Sequence, residues 1–305
     1  MKSRNAPSAD DKPLPIEQEY RGRFAPSPTG QLHLGSLAAA LASYLDARAH
    51  RGCWLVRIED IDPPRELPGS ASQIIQTLQA HGLVPDEPVL YQSSRIKAYQ
   101  AHIATLRQQG HLFACNCSRH QLRHHPVYPG TCRNTATTNS ETALRLRVDE
   151  REIILDDLIQ GRQNWPISTC VGDFVIRRRD KLFAYQLAVT IDDAFQGITR
   201  VVRGCDLLDS TARQVYLQQL LGFPTPDYAH LPVLINAQGR KLSKQTGATP
   251  VDDARPEQNL LKALCLLGQN PPNGIHLAGV AEILSWARDN WNLSHLPAGS
   301  EITLP

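Results

Sequence analysis

Apolar and polar positions along the chain follow two periods, and their order predicts alternating strands and helices. Residues 20–24 read as a short buried strand, residues 34–51 as a helix rich in Ala and Leu, and residues 53–58 as a second strand. An acidic turn with Pro63 and Pro64 follows, and Ser70 introduces a helix over 71–81. Apolar Ile96, Tyr99, Ile103 and Leu106 mark a helix within 94–109, stopped at Gly110. The segments 143–148, 153–159 and 173–176 alternate or are β-branched, with Gly161 and Gly172 between them, which predicts hairpins. Residues 183–189 lead into Asp192 and Asp193, then a strand over 198–202 and a helix over 209–221. An apolar strand at 231–235 and two amphipathic helices, 256–267 and 277–290, complete the pattern. A strand–helix–strand unit of this length begins a doubly wound parallel sheet, hence an α/β fold whose ligands sit beyond the carboxyl ends of the strands.

Composition narrows the class. At 305 residues with 41% hydrophobic positions, the chain can bury a substantial core, and a net charge of +2 does not by itself mark a nucleic-acid binder. RNA contact would have to come from local patches such as 177–179 and 119–125. No run of eighteen apolar residues predicts a membrane span, and the N-terminus has no apolar core of the secretory type. Residues 1–19 carry three prolines and no periodicity and read as a flexible extension. The seven cysteines are an odd number, and three of them, Cys115, Cys117 and Cys132, fall close together. That suits a metal site in a reducing compartment, so the expectation is a cytoplasmic protein, a monomer, with no membrane partner.

Four groups of residues suggest chemistry. Between the first strand and helix lies Arg23-Phe24-Ala25-Pro26-Ser27-Pro28-Thr29-Gly30, followed by His33, Gly35 and Ser36. Unpaired N–H groups and the dipole of a helix N-terminus attract phosphate, and His33 stands just before that end. A second loop, with Lys241, Ser243 and Lys244 between Gly239 and Gly247, suits closure over a polyphosphate. Arg23 and Glu59 fall near strand ends, where a guanidinium can grip a carboxylate and a carboxylate can receive an ammonium. The three thiols want a fourth donor for zinc, and chemistry alone favours an imidazole, His120, His124 or His125, over a phenol.

The two loops together resemble the paired signature motifs of class I aminoacyl-tRNA synthetases. The runs R-F-A-P-S-P-T-G and V-R-I-E-D-I-D narrow the resemblance to the glutamyl and glutaminyl branch, and within it to the short paralogues of glutamyl-tRNA synthetase. It extends from about residue 20 to about residue 247. Ser36 stands where the founding motif ends in His, and the second motif reads K-L-S-K-Q.

The resemblance implies a Rossmann-like catalytic core in two halves, 20–111 and 171–250, around a zinc-binding insertion at 112–170. A short helical part, 251–305, would follow without an anticodon-binding domain. It implies that Arg23, Phe24, Ala25, Pro26, Ser27, Glu59, Tyr185 and Arg203 bind L-glutamate, and that His33, Gly35, Lys241, Ser243 and Lys244 bind ATP with Mg²⁺. His33 and Lys244 would be catalytic, and Tyr128 would join Cys115, Cys117 and Cys132 on a structural zinc. The implied reaction is tRNA-independent formation of glutamyl-adenylate, then transfer of glutamate to queuosine at the wobble position of tRNA(Asp). Rival expectations are a truncated synthetase that charges a tRNA 3′ end, a small-molecule nucleotidyltransferase, and a non-catalytic RNA-binding derivative.

Overall fold

The computed structural model describes residues 19–135, 141–235, 249–297 and 299–303. β1 (Arg21–Phe24), α1 (Leu34–Ala49) and β2 (Cys53–Ile58) form the expected opening unit. β1 and β2 pair in parallel, Arg21 opposite Cys53 and Phe24 opposite Val56. α2 (Ser70–Ala80) returns the chain to β3 (Leu90–Tyr91), which adds in parallel to β2, and α3 (Ile96–Gln108) follows.

The chain then leaves the parallel sheet. β4 (Leu112–Cys115), the short α4 (Arg119–Leu122) and β5 (Ala143–Leu146) precede a hairpin of β6 (Glu152–Asp157) and β7 (Gly161–Pro166). After α5 (Ile167–Cys170), β8 (Phe174–Arg177) pairs antiparallel with β5, which also pairs with β4. This antiparallel sheet therefore crosses the expected boundary at residue 170. β7 was not visible in the sequence, because its residues Gly-Arg-Gln-Asn-Trp-Pro alternate only between exposed and half-buried positions.

α6 (Tyr185–Phe195) carries the chain back to β9 (Arg200–Gly204), α7 (Leu208–Leu221) and β10 (Asp227–Leu231). β9 and β10 pair in parallel. Thr199 joins them to the first half of the sheet: its N–H donates to Arg21 O at 2.9 Å and its hydroxyl accepts from Arg21 N–H at 2.8 Å. α6 had no element assigned from sequence; it is a helix because Leu187, Ala188 and Ile191 share a buried face.

The expected strand at 231–235 is two strands. Pro232 has no N–H to continue the ladder, so β10 ends at Leu231 and β11 (Val233–Ile235) turns to a different partner. That partner is β12 (Glu301–Thr303), which runs parallel to β11. Between them, α8 (Pro256–Leu266) and α9 (Val280–Asp289) pack on α1. Leu260, Ala263, Leu264, Ile283 and Ala287 share one buried cluster with Leu37, Leu41, Leu45, Trp54 and Val56. A second cluster joins α3, α6 and α7 to the antiparallel sheet through Tyr99, Leu144, Leu146, Ile176, Leu187 and Tyr216. Among the described residues no helix is long and apolar enough to cross a membrane.

Because Leu264 is fully buried in the cluster that packs α1 against the sheet, Leu264→Ala should lower the unfolding free energy of the whole chain by about 2–5 kcal/mol. Urea titration followed by circular dichroism should show one shifted transition. A separate early transition would mean that the C-terminal helices unfold by themselves.

Candidate active site

A cleft of about 610 Å³ opens beyond the carboxyl ends of β1 and β9. Its polar end is formed by Arg23, Phe24, Ala25, Pro26 and Ser27 from the loop after β1, facing Tyr185 at the start of α6 and Arg203 on β9. Its other end is apolar, with Leu234 from β11, Leu266 and Leu267 from the end of α8, and Leu296 and Ile302 from the last residues. His33 and Gly35 line the cleft as well, Gly35 beside Leu234.

His33 is the N-cap of α1. Its Nδ1 accepts the Ser36 N–H at 3.3 Å, which fixes the ring against the first turn. Gly35 gives that ring room: a Cβ there would stand a tight 3.1 Å from His33 Cε1 and 3.2 Å from Nδ1. Pro250 bridges to His33, and Val251 N–H donates to Leu32 O at 2.9 Å. Lys241, Ser243 and Lys244 lie outside the described residues, but the chain on either side of them, Leu234 and Pro250, meets the His33 turn.

Behind the polar end is a buried ionic cluster that the sequence did not reveal. Arg23, only 3% exposed, donates through Nε and Nη2 to the two carboxylate oxygens of Asp193 at 3.1 and 3.4 Å. Arg57, fully buried on β2, lies 2.8 Å from the same Asp193 and 3.4 Å from Glu59. Burial would raise the Asp193 pKa, but Arg23 and Arg57 outweigh it and hold the carboxyl below its usual range. Glu59 behaves oppositely: burial pushes it up to about 7 against the pull of Arg57 and Arg23. Glu59 is not on the wall of the cleft; it stands behind it, in contact with Arg57. Asp193 was visible only as half of an acidic pair, and Arg57 as one letter of the V-R-I-E-D-I-D run.

Arg203 has a different environment. Its Nε donates to His230 Nε2 at 3.1 Å, its Nη2 to Thr211 Oγ1 at 2.8 Å, and its Nη1 to the Tyr185 hydroxyl at 3.4 Å. Burial raises the Tyr185 pKa, against Arg203, so the phenol keeps its proton.

The three thiols come together away from the cleft. The Sγ atoms of Cys115, Cys117 and Cys132 all lie within 4.8 Å of one another, and Cys117 and Cys132 are 3.6 Å apart. Thiolates on one tetrahedral zinc at about 2.3 Å sit about 3.8 Å apart, so the donor set fits that ion. The Tyr128 hydroxyl lies 3.4 Å from Cys115 Sγ and 3.7 Å from Cys117 Sγ. His120 and His124 instead meet Arg123, at 2.6 and 2.8 Å. Of the expected fourth donors, Tyr128 is the one whose contacts with the thiols are seen. All seven cysteines are free thiols.

Comparison with known proteins follows the same lines. A family model described as the catalytic domain of class I tRNA synthetases (E and Q) matches residues 19–128 and 127–291. A glutamyl-Q tRNA(Asp) synthetase of Ectopseudomonas mendocina is 52% identical over 91% of this chain and 95% of its own. One from Thiobacillus denitrificans is 50% identical over 93% of this chain and 97% of its own. Among solved structures, a glutamate tRNA ligase from Elizabethkingia meningosepticum, in complex with its amino acid, superposes with a TM-score of 0.76 at 27% identity. That match covers 93% of this chain, which spans 66% of the ligase.

The raised pKa of Glu59 makes stability depend on pH. As pH rises from about 4.5, the unfolded chain releases this proton before the folded chain does, so the folded state loses stability until pH passes about 7. Glu59→Gln removes that loss. Between pH 5 and pH 8, urea midpoints should move in favour of the variant by about 2–3 kcal/mol relative to wild type. A difference that does not change with pH would show that Glu59 is ionised throughout.

Proposed function

This chain belongs to the class I tRNA synthetases of the glutamyl and glutaminyl branch, and from that membership we propose that it activates L-glutamate with ATP and transfers it to queuosine in tRNA(Asp). One observation carries the reading: Arg23, Tyr185, Arg203 and the His33 turn all line one cleft.

The first step joins glutamate to AMP. An oxygen of the α-carboxylate attacks the α-phosphorus of ATP, which enters with Mg²⁺; the bond to the bridging oxygen breaks and pyrophosphate leaves. Such a reaction needs alignment and charge stabilisation, and no protein nucleophile. His33, fixed by its cap to Ser36, and Lys244 stabilise the charge that builds on the leaving group. Gly35, Lys241 and Ser243 complete the nucleotide site, whose apolar end receives the base. Arg23, Tyr185 and Arg203 hold the amino acid with the loop residues Phe24, Ala25, Pro26 and Ser27. Glu59 bears on the α-ammonium indirectly: ionised, it offsets the Arg57 charge behind the wall and lowers the repulsion that a substrate cation would meet. Glutamine is rejected because its neutral side chain leaves a buried cation unmatched, a penalty of about 2–5 kcal/mol.

In the second step a hydroxyl of the queuosine cyclopentenediol attacks the carbonyl of the adenylate, an ester forms and AMP leaves. Cys115, Cys117, Cys132 and Tyr128 hold a structural zinc that fixes the turn between β4 and β5. We take the enzyme to act in the cytoplasm, which its free thiols suit, and as a monomer.

The likeness to a glutamate tRNA ligase favours a second reading, in which the acceptor is the 3′-terminal ribose. Labelled glutamate, queuosine-containing tRNA(Asp) and nuclease mapping separate the two. Glutamate-dependent pyrophosphate exchange without tRNA, followed by label on the anticodon fragment, is the expected result. Label confined to the 3′ end would overturn the queuosine assignment, and absence of exchange would overturn activation without tRNA.

Metal analysis of the purified chain should find about one zinc per molecule, lost in Cys115→Ser together with protease resistance of the turn at 115–135. Native protein free of zinc would contradict the assignment.

A further inference from the structure

The two arginines of the cleft are neutralised in different ways. Arg23 meets a carboxylate directly, with Asp193 on both of its donating edges. Among the described residues, the hydrogen-bond partners of the Arg203 guanidinium are uncharged: His230 Nε2, the hydroxyls of Thr211 and Tyr185, and the Leu207 carbonyl. Through His230 it is linked to an acid one imidazole further away.

That acid is Asp157, at the end of β6. Its Oδ1 accepts the backbone N–H groups of Ile159 at 3.0 Å, Gln160 at 2.8 Å and His230 at 3.2 Å, which fixes the carboxylate to the hairpin. Its Oδ2 lies 2.6 Å from His230 Nδ1. His230 has no exposed surface, and its ring stacks on Tyr228 with 4° between the planes.

The proton positions follow from the partners. Arg203 Nε can only donate, so His230 Nε2 presents its lone pair, and the single imidazole proton sits on Nδ1 and goes to Asp157. Burial and the neighbouring Arg203 disfavour a second proton on the ring more than Asp157 favours one.

We propose that Asp157 and His230 are positioning residues for Arg203: Asp157 sets the imidazole tautomer, and His230 Nε2 holds the guanidinium edge-on while leaving its charge for the substrate carboxylate. A direct carboxylate partner would hold the guanidinium equally well but would cancel the charge that distinguishes glutamate from glutamine. This rests on Arg203 as a ligand of glutamate, as proposed above.

The test is ATP–pyrophosphate exchange on the full chain, with KM for glutamate, KM for ATP and the glutamate-to-glutamine ratio of kcat/KM measured for four variants. His230→Leu removes the acceptor. Asp157→Asn keeps an oxygen for the backbone N–H groups but turns an amide donor toward Nδ1, which drives the ring proton to Nε2 and against Arg203. Both should raise KM for glutamate about tenfold or more and reduce discrimination against glutamine, while KM for ATP stays within about twofold. His230→Gln, whose amide oxygen reaches the position of Nε2, should stay within about threefold of wild type. Arg203→Leu should show the same signature at greater size.

If Arg203→Leu raises KM for glutamate but His230→Leu and Asp157→Asn do not, the relay is wrong and the glutamate pocket stands. If Arg203→Leu changes neither KM for glutamate nor discrimination, the pocket reading fails and the relay with it. A parallel rise in KM for ATP would overturn positioning in favour of a merely structural role. Should His230→Leu not fold, Asp157→Asn against His230→Gln carries the same comparison.

Discussion

The cleft depends on one carboxylate. Asp193 on α6 receives Arg23 from the end of β1 and Arg57 from β2, so a single buried anion ties the first half of the parallel sheet to the helix that leads into the second. Taking these groups out of water is expensive, and their attraction repays the cost only when the set is complete and well aligned. With Glu59 ionised, two guanidinium groups face two carboxylates and the cluster is neutral. Near neutral pH, Glu59 stands close to its titration point, so the polar end is poised to accept or lose one unit of positive charge. Rigidity follows from completeness: moving any member strands another, and the floor of the amino-acid end is organised before substrate arrives.

The lining of the cleft combines two kinds of side chain, as the proposed aminoacyl-adenylate requires. Fixed cations and a protonated phenol lie at one end, while Leu234, Leu266, Leu267, Leu296 and Ile302 line the other. The His33 turn lines the same cleft, and in the proposed reading it faces the phosphate that links amino acid and base. This division explains why the C-terminal helices pack on α1 and extend the same core, since α8 and the residues after α9 supply much of the apolar end.

Periodic features were legible in the sequence. α1, α2, α3, α7, α8 and β2 are where the sequence placed them, to within a few residues: one buried face marks α2, α3 and α8, and runs of apolar residues between clear breaks mark α1 and β2. The loop after β1 was legible too, since prolines, glycines and a histidine in that order leave few conformations open. α6 was not assigned, since it is buried on several sides and carries Asp192 and Asp193 inside the protein. The partners Arg57–Asp193 and Arg203–His230 were hidden for another reason. Ion pairs and hydrogen bonds between residues distant in sequence leave no local pattern, and only the fold brings them together. The cysteine spacing pointed to the cluster of three thiols that the fold brings together, but that Tyr128 lies against the thiols while His120 and His124 meet Arg123 is something no spacing encodes.

A last constraint concerns how the two motif loops stay in register. The residues on either side of 236–248 are both anchored: β11 is paired to β12, and Val251 is bonded to Leu32 beside His33. Gly299 O accepts from Gln160 Nε2, which also donates to His230 O, so the last strand, the β6–β7 hairpin and β10 share one side chain. The hairpin that fixes Asp157 therefore also steadies the strand leading into the lysine loop. Arg203, through His230, and the strand that enters the loop after β11 thus share a support, and a shift of the hairpin would disturb both together.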